Sequence, residues 1–154
     1  MHNIDGTWIS YPPLAEHKTL SQKELATLNI KMGKSHRSEK DWDAVKNILL
    51  NNCLFTMQPM DKKNADMVCV EGIYSSNNAL IAFTSVDDCK EYIFAYELAR
   101  LGGRFTIGTI PFVSLTQIAD KYKTKLYISP FPNREFLAYD GNTRTLHIYI
   151  LGKI

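Results

Sequence analysis

Four histidines, three cysteines and a handful of serines are the side chains in this sequence that could do nucleophilic, acid–base or metal chemistry. His2, His17, His36 and His147 lie far apart. None stands three or four residues from another or from a cysteine, the spacing that places two zinc ligands on one helical face. Cys53, Cys69 and Cys89 form no Cys-x-x-Cys pair and sit among apolar neighbours, as in Val68-Cys69-Val70. That context predicts small buried hydrophobes in a reducing compartment. His147 alternates with apolar residues between Leu146 and Leu151, which predicts the outward position of a strand. No Gly-x-Ser-x-Gly elbow is present. Ser85 and Ser114 each precede a helical pattern and are expected to be N-caps. Cys89 falls in the first turn of a helix, where a thiolate could be stabilised, but also on that helix's apolar row, so burial is expected. No catalytic residue, metal ligand or cofactor-binding residue is therefore assigned, and no cofactor is expected.

Anion recognition has two candidates. Gly102-Gly103-Arg104 has the right residue types, but it follows a helix, where glycine acts as a stop, whereas a phosphate cradle precedes one. Lys31, Lys34, Arg37 and Lys40, with His36, form the densest basic cluster. Gly33 and Ser38 punctuate it and no aromatics interleave it for base stacking. It reads as a solvated interhelical connection, with an anion patch as the alternative. A further candidate is a protein interface on Pro130, Phe131, Asn133 and Arg134. Prolines on both sides of Phe131 stiffen the loop and reduce the entropy lost on binding. An exposed Phe131 would be an interface anchor beside Arg134. The alternative is that Phe131 closes the core beneath a turn.

The elements that must position these residues follow from periodicity and capping. Leu25, Leu28 and Met32 define a first helix, opened by Ser21 with Glu24 as a capping box and stopped at Gly33. A second begins near Ser38, with Trp42, Val45, Ile48 and Leu49 inward and Asn51-Asn52 at its end. Strands are expected over Cys53 to Met57, Met67 to Tyr74 and Ala79 to Phe83, the last two paired through Ser75-Ser76-Asn77-Asn78. A third helix follows Ser85, with Val86, Cys89, Ile93 and Tyr96 in one apolar row and Phe94, Leu98 and Leu101 in a second, a width that predicts deep packing. Arg104 to Ile110 reads as a strand. A fourth helix after Ser114 buries Leu115, Ile118, Ala119 and Tyr122, with Lys121, Lys123 and Lys125 near its end, where cations suit the dipole. Short strands from Leu126, Glu135 and Thr145 close the chain, the last two flanking Asp140-Gly141-Asn142.

Length and composition fit one domain. The chain has 154 residues, 45% apolar and 22% charged, enough to bury roughly 70% of its unfolded surface without a metal or disulfide. The expected fold is α+β, a mixed or antiparallel sheet with about four helices packed on it. Residues 1–40 form an N-terminal arm and helix belonging to the same domain as residues 41–154. Tyr11-Pro12-Pro13 resists helix and central strand, but Trp8, Ile9 and Tyr11 are apolar, so an arm laid against the body is expected there, with a loose tail as the alternative. The net charge is +2, too small to imply nucleic acid or an anionic membrane. No basic and apolar leader opens the chain and no apolar run reaches the roughly 20 residues that span a bilayer, so a cytoplasmic protein is expected.

Three stretches resemble the N-terminal domain of the bacterial SseB, or enhanced serine sensitivity, family. They are Trp42-Asp43-Ala44-Val45 through Phe55-Thr56-Met57-Gln58-Pro59, then Leu80-Ile81-Ala82-Phe83-Thr84-Ser85, then Ile107 through Phe136 with Lys125-Leu126-Tyr127-Ile128-Ser129-Pro130 and Arg134-Glu135-Phe136-Leu137. The similarity runs from about Asp41 to Tyr139. Where the family carries Asn-Pro in the late loop, this chain has Ser129-Pro130, and serine makes the same local bond more weakly. The resemblance implies a small α+β domain with no catalytic residues to carry over. The functional expectation is a non-catalytic bacterial module that binds another protein. An immunity or chaperone-like partner of a toxin or secreted effector is a specific form of it. An enzyme of unrecognised type and a weak nucleic-acid binder through the Lys31–Lys40 cluster are the alternatives. Homo-oligomerisation stays open.

Overall fold

Both N-terminal helices begin where the sequence places their caps. Ser21 Oγ accepts the Glu24 N–H at 3.1 Å while Glu24 Oε1 accepts the Ser21 N–H at 3.0 Å, and the pair opens α1 (Gln22–Met32). Ser38 and Asp41 repeat the arrangement at the start of α2 (Glu39–Leu50). Each box satisfies amides that the first helical turn leaves without partners. Glu24 is also bonded by Asn52 Nδ2 and Lys18 Nζ. These bonds, the Ser21 amide first, hold its pKa down at about 2. The computed structural model describes residues 18–59, 69–76, 78–95, 105–131 and 133–150. The expected arm with its Trp8 and Tyr11, the loop 61–66, and Gly102-Gly103-Arg104 lie outside them.

After α2 the chain changes to a period of two. β1 (Cys53–Pro59) pairs antiparallel with β5 (Phe105–Pro111) in a two-stranded sheet, Thr56 opposite Gly108. The other sheet has six strands. Their order is β2 (Cys69–Val70), β3 (Ile73–Ser76), β4 (Ala79–Ala82), β6 (Lys125–Ile128), β7 (Glu135–Asp140) and β8 (Thr145–Ile150). All neighbours are antiparallel except β4 and β6, which run parallel with Ala79 opposite Lys125. That crossover carries α3 (Val86–Ala95), β5 and α4 (Phe112–Tyr122). The two sheets are tied where Phe55 and Phe83 exchange reciprocal backbone hydrogen bonds of 2.8 Å.

The central strands are buried on both faces. In β4, Leu80 and Ala82 join a core with Leu28 of α1, Val45 and Leu49 of α2, and Leu115, Ile118 and Ala119 of α4. Ala79, Ile81 and Phe83 join a second core with Cys89 and Tyr92 of α3. Alternating side chains of one strand thus feed two cores, the expected result of helices on both sheet faces. The fold is α+β, with four helices and eight strands among the described residues.

Four expectations change in detail. Cys69 to Tyr74 is not one strand but a hairpin, because Glu71 and Gly72 both take positive φ (51° and 80°). Two such residues give the turn whose twist suits a tight hairpin. Ser114 does not cap α4. Pro111 is both the last residue of β5 and the N-cap, so the helix starts at Phe112 with no intervening loop. The second apolar row of α3 is not inward at Phe94, which is 85% exposed. Tyr92 occupies the core instead, between Tyr74, Phe83 and Phe131. Tyr122, expected on the inner face of α4, is 48% exposed.

Candidate functional site

The basic cluster folds into a connection between α1 and α2. Lys31 and Lys34 both donate to Asp41 Oδ1, at 2.9 and 3.0 Å. Arg37 Nη1 donates to the carbonyls of Met32 and Lys34, at 3.1 and 2.6 Å, and its guanidinium lies over the Trp42 ring at 5.7 Å. Three of the four candidate anion-binding cations are therefore spent on the fold, while Lys40 and His36 are exposed. The Lys31 ammonium, then the Ser38 amide and Lys34, hold the Asp41 carboxyl well below the usual carboxylate range.

The described thiols are placed as packing groups. Cys53 and Cys89 are buried and unbridged. Burial raises both, and with Asp88 nearby Cys89 is pushed up to about 12, so the α3 N-terminus holds a thiol and not a thiolate. Ser85 Oγ accepts the Asp88 N–H at 3.1 Å as an N-cap. His147 is exposed on β8, and its Nε2 meets the Thr145 hydroxyl. His2 and His17 lie outside the described residues.

The proline-rich loop closes the core. Phe131 is 8% exposed and meets Tyr92 edge-on at 6.0 Å. Pro130 is buried too. The reading of Phe131 as an exposed anchor gives way to the alternative of a core cap. Asn133 and Arg134 remain exposed. Arg134 returns its N–H to Phe131 O at 3.3 Å, Asn133 has φ 63°, and the Arg134 guanidinium lies 5.2 Å from the Phe131 ring. A positive φ of this kind is one that asparagine tolerates in a turn. Ser129 takes φ 50°. Its hydroxyl accepts the Thr84 N–H at 3.3 Å, and its own N–H donates to Ala82 O at 2.8 Å.

These bonds bring Phe83-Thr84-Ser85 and Ser129-Pro130 together at the carboxyl ends of the parallel pair β4 and β6. In open α/β sheets this end is where ligands collect. Here it forms a groove of about 180 Å³ against α1, with Leu28, Met32 and Leu137 as apolar lining and Asp88, Arg134 and Glu135 as charged lining.

A larger cleft, about 630 Å³, opens at the other end of the same strands, between the β3–β4 turn and the segment after α4. Asn78, Lys123, Lys125 and Asn142 line it over Val70 and Leu80. Sequence reading missed it. Its lysines read as helix-end cations and its asparagines as turn formers, and only the parallel pairing of β4 with β6 makes them neighbours.

No family model, curated protein or solved structure matches this chain. Among the described residues no helix is long and apolar enough to cross a membrane.

Proposed function

We propose that the chain is a non-catalytic, SseB-like bacterial module that works by binding another protein, with the groove at the carboxyl ends of β4 and β6 as its contact. The observation that carries this reading is the bond between Thr84 and Ser129. It joins two separate stretches on which the SseB resemblance rests, 45 residues apart, at one edge of one groove. Asn133 and Arg134 stand at that edge on a turn stiffened by the buried Phe131, so they present a fixed surface with little entropy left to lose. The groove has room for one apolar side chain, and Arg134 beside it can pair with a carboxylate. An immunity-like role is a specific form of this reading, and a toxin gene beside this one would favour it.

The test replaces Asn133 and Arg134 together by alanine and leaves Phe131 in place, since its loss would disturb the core. Tagged protein is used to capture partners from a nuclease-treated bacterial lysate, read by mass spectrometry. The expected result is a stoichiometric protein partner for the wild type, lost in the double variant at unchanged melting temperature. Equal capture by both removes the groove from the reading.

A further inference from the structure

We propose that the cleft between the β3–β4 turn and the end of α4 is a binding site for a phosphorylated small molecule. The proposal is independent of the protein contact at the opposite end of the sheet. At about 630 Å³ the cleft lies within the range of small-molecule sites, and it pairs an apolar floor with a few polar groups, as such sites do.

The charge of the lining has one sign. Lys123 and Lys125 contribute cations, and among the described residues no carboxylate lines the cleft. Three acids of the neighbouring described segments are already engaged. Glu71 binds Lys121 at 2.9 Å. Asp120 accepts the Tyr139 hydroxyl at 2.7 Å and lies 3.8 Å from Arg144. Asp140 stands opposite Lys125 in the strand register but accepts the Asn142 N–H at 2.8 Å. Among the described residues neither Lys123 nor Lys125 forms an ion pair with a carboxylate. Lys125 lies only over the Tyr149 ring, at 5.5 Å. At the end of α4 two of the last carbonyls are already bonded within the chain. Ala119 O accepts from Lys123 and Thr124, and Asp120 O from Lys123.

The lining is also held rigid. Lys123 adopts φ 50° and ψ 48° at the helix end, a left-handed position where glycine or asparagine is usual. Asn78 has φ 60°, and the Thr124 hydroxyl donates to its carbonyl. Asn142 Nδ2 donates to Lys123 O at 3.1 Å, and the Gly141 N–H to Thr124 O at 2.8 Å. Three segments distant in sequence are thus stitched into one rim. Strained backbone of this kind collects at ligand sites. Two lysines in a lining that otherwise offers hydroxyl and amide groups suit a phosphate dianion attached to a polar body.

The test is NMR titration of the labelled protein with inorganic phosphate, ribose 5-phosphate and AMP, and with ribose and adenosine as unphosphorylated controls. The phosphate esters should shift the Asn78 and Asn142 side-chain amides, and ribose and adenosine should not. Lys123→Met with Lys125→Met should weaken that binding at least about tenfold, the factor set by losing roughly 1.4 kcal/mol. Lys23→Met with Lys46→Met, which removes equal charge from exposed helix positions, should leave it unchanged. Tighter binding of ribose 5-phosphate than AMP assigns a sugar phosphate, and the reverse assigns a nucleotide. No shift at millimolar ester, binding of inorganic phosphate alone, or equal weakening by the control pair overturns the proposal.

Discussion

The carboxylate of Asp41 lies 2.9 Å from the ammonium of Lys31, and the same oxygen accepts Lys34 at 3.0 Å. Asp41 is 5% exposed, and its other oxygen accepts the Ser38 N–H. One carboxylate therefore caps α2, pairs with two lysines of the basic cluster and ties α2 to the end of α1.

Acid should weaken this joint. The pKa values of Asp41 and Glu24 are held down in the folded chain, so the unfolded chain binds protons first as pH falls. Their contribution is present above the ordinary carboxylate range, near pH 4, and is lost as pH drops towards 2. Urea unfolding between pH 7 and pH 2.5 should show wild-type stability falling below about pH 4. Asp41→Asn should be less stable than wild type at pH 7, with the gap closing in acid. Ser38→Ala, which removes the hydroxyl half of the cap, should cost about 1 kcal/mol, a melting shift of about 2–4 °C for a chain of this size.

Phe131 and Arg134 should separate by stability. Phe131 is packed against Tyr92 beneath the turn, so Phe131→Ala should cost about 3–5 kcal/mol through lost burial and the cavity left behind. Arg134 is exposed over the same ring, and Arg134→Ala should cost no more than about 1 kcal/mol. Denaturant unfolding of the two variants measures the difference directly. Similar costs for the two would contradict the placement of the loop.

What could be read in advance was what local chemistry decides. Ser21, Ser38 and Ser85 announce helices because a cap is a bond between a side chain and an amide three residues away. The turn at Asn78 and the loop after Asp140 are local in the same sense. Ser114 misled because Pro111 ends a strand and opens a helix without a break, leaving the serine in the third helical position. The cleft was illegible for another reason. Asn78 and Thr124 meet only because β4 and β6 run parallel, and that pairing is made through two helices and a strand that leave no local mark. Phe94 shows a similar limit, since a periodic pattern tells which residues share a helix face but not where the neighbouring sheet ends.

Thr56 offers a test of the interior. It is 0% exposed in β1, and its hydroxyl makes no hydrogen bond among the described residues. A buried hydroxyl without a partner carries a desolvation cost that nothing returns. Thr56→Val keeps the branched shape and the strand preference while removing that group. The variant should be more stable by about 1 kcal/mol, read as a higher denaturation midpoint with an unchanged slope. A loss of stability would mean that the hydroxyl has a partner, such as a buried water.

Gly141 is fixed by space and not by torsion. A Cβ at this position would lie 2.2 Å from Ala119 O and 2.5 Å from Thr124 O, both backbone atoms that cannot swing aside as a side-chain tip could. The glycine lets the β7–β8 loop pass against the end of α4, where its N–H bonds Thr124 O at 2.8 Å. Gly141→Ala must push the loop away, breaking that bond and the one from Asn142 to Lys123 O. Steric insertion into packed structure costs about 1–3 kcal/mol, and the lost hydrogen bonds should bring Gly141→Ala to the upper end of that range. The damage should be local to the cleft. Hydrogen exchange should rise at Gly141 and Asn142 and stay unchanged in α1 and α2, and binding of ribose 5-phosphate should fall with it. An alanine variant as stable as wild type would show that the loop does not pack against α4 in solution.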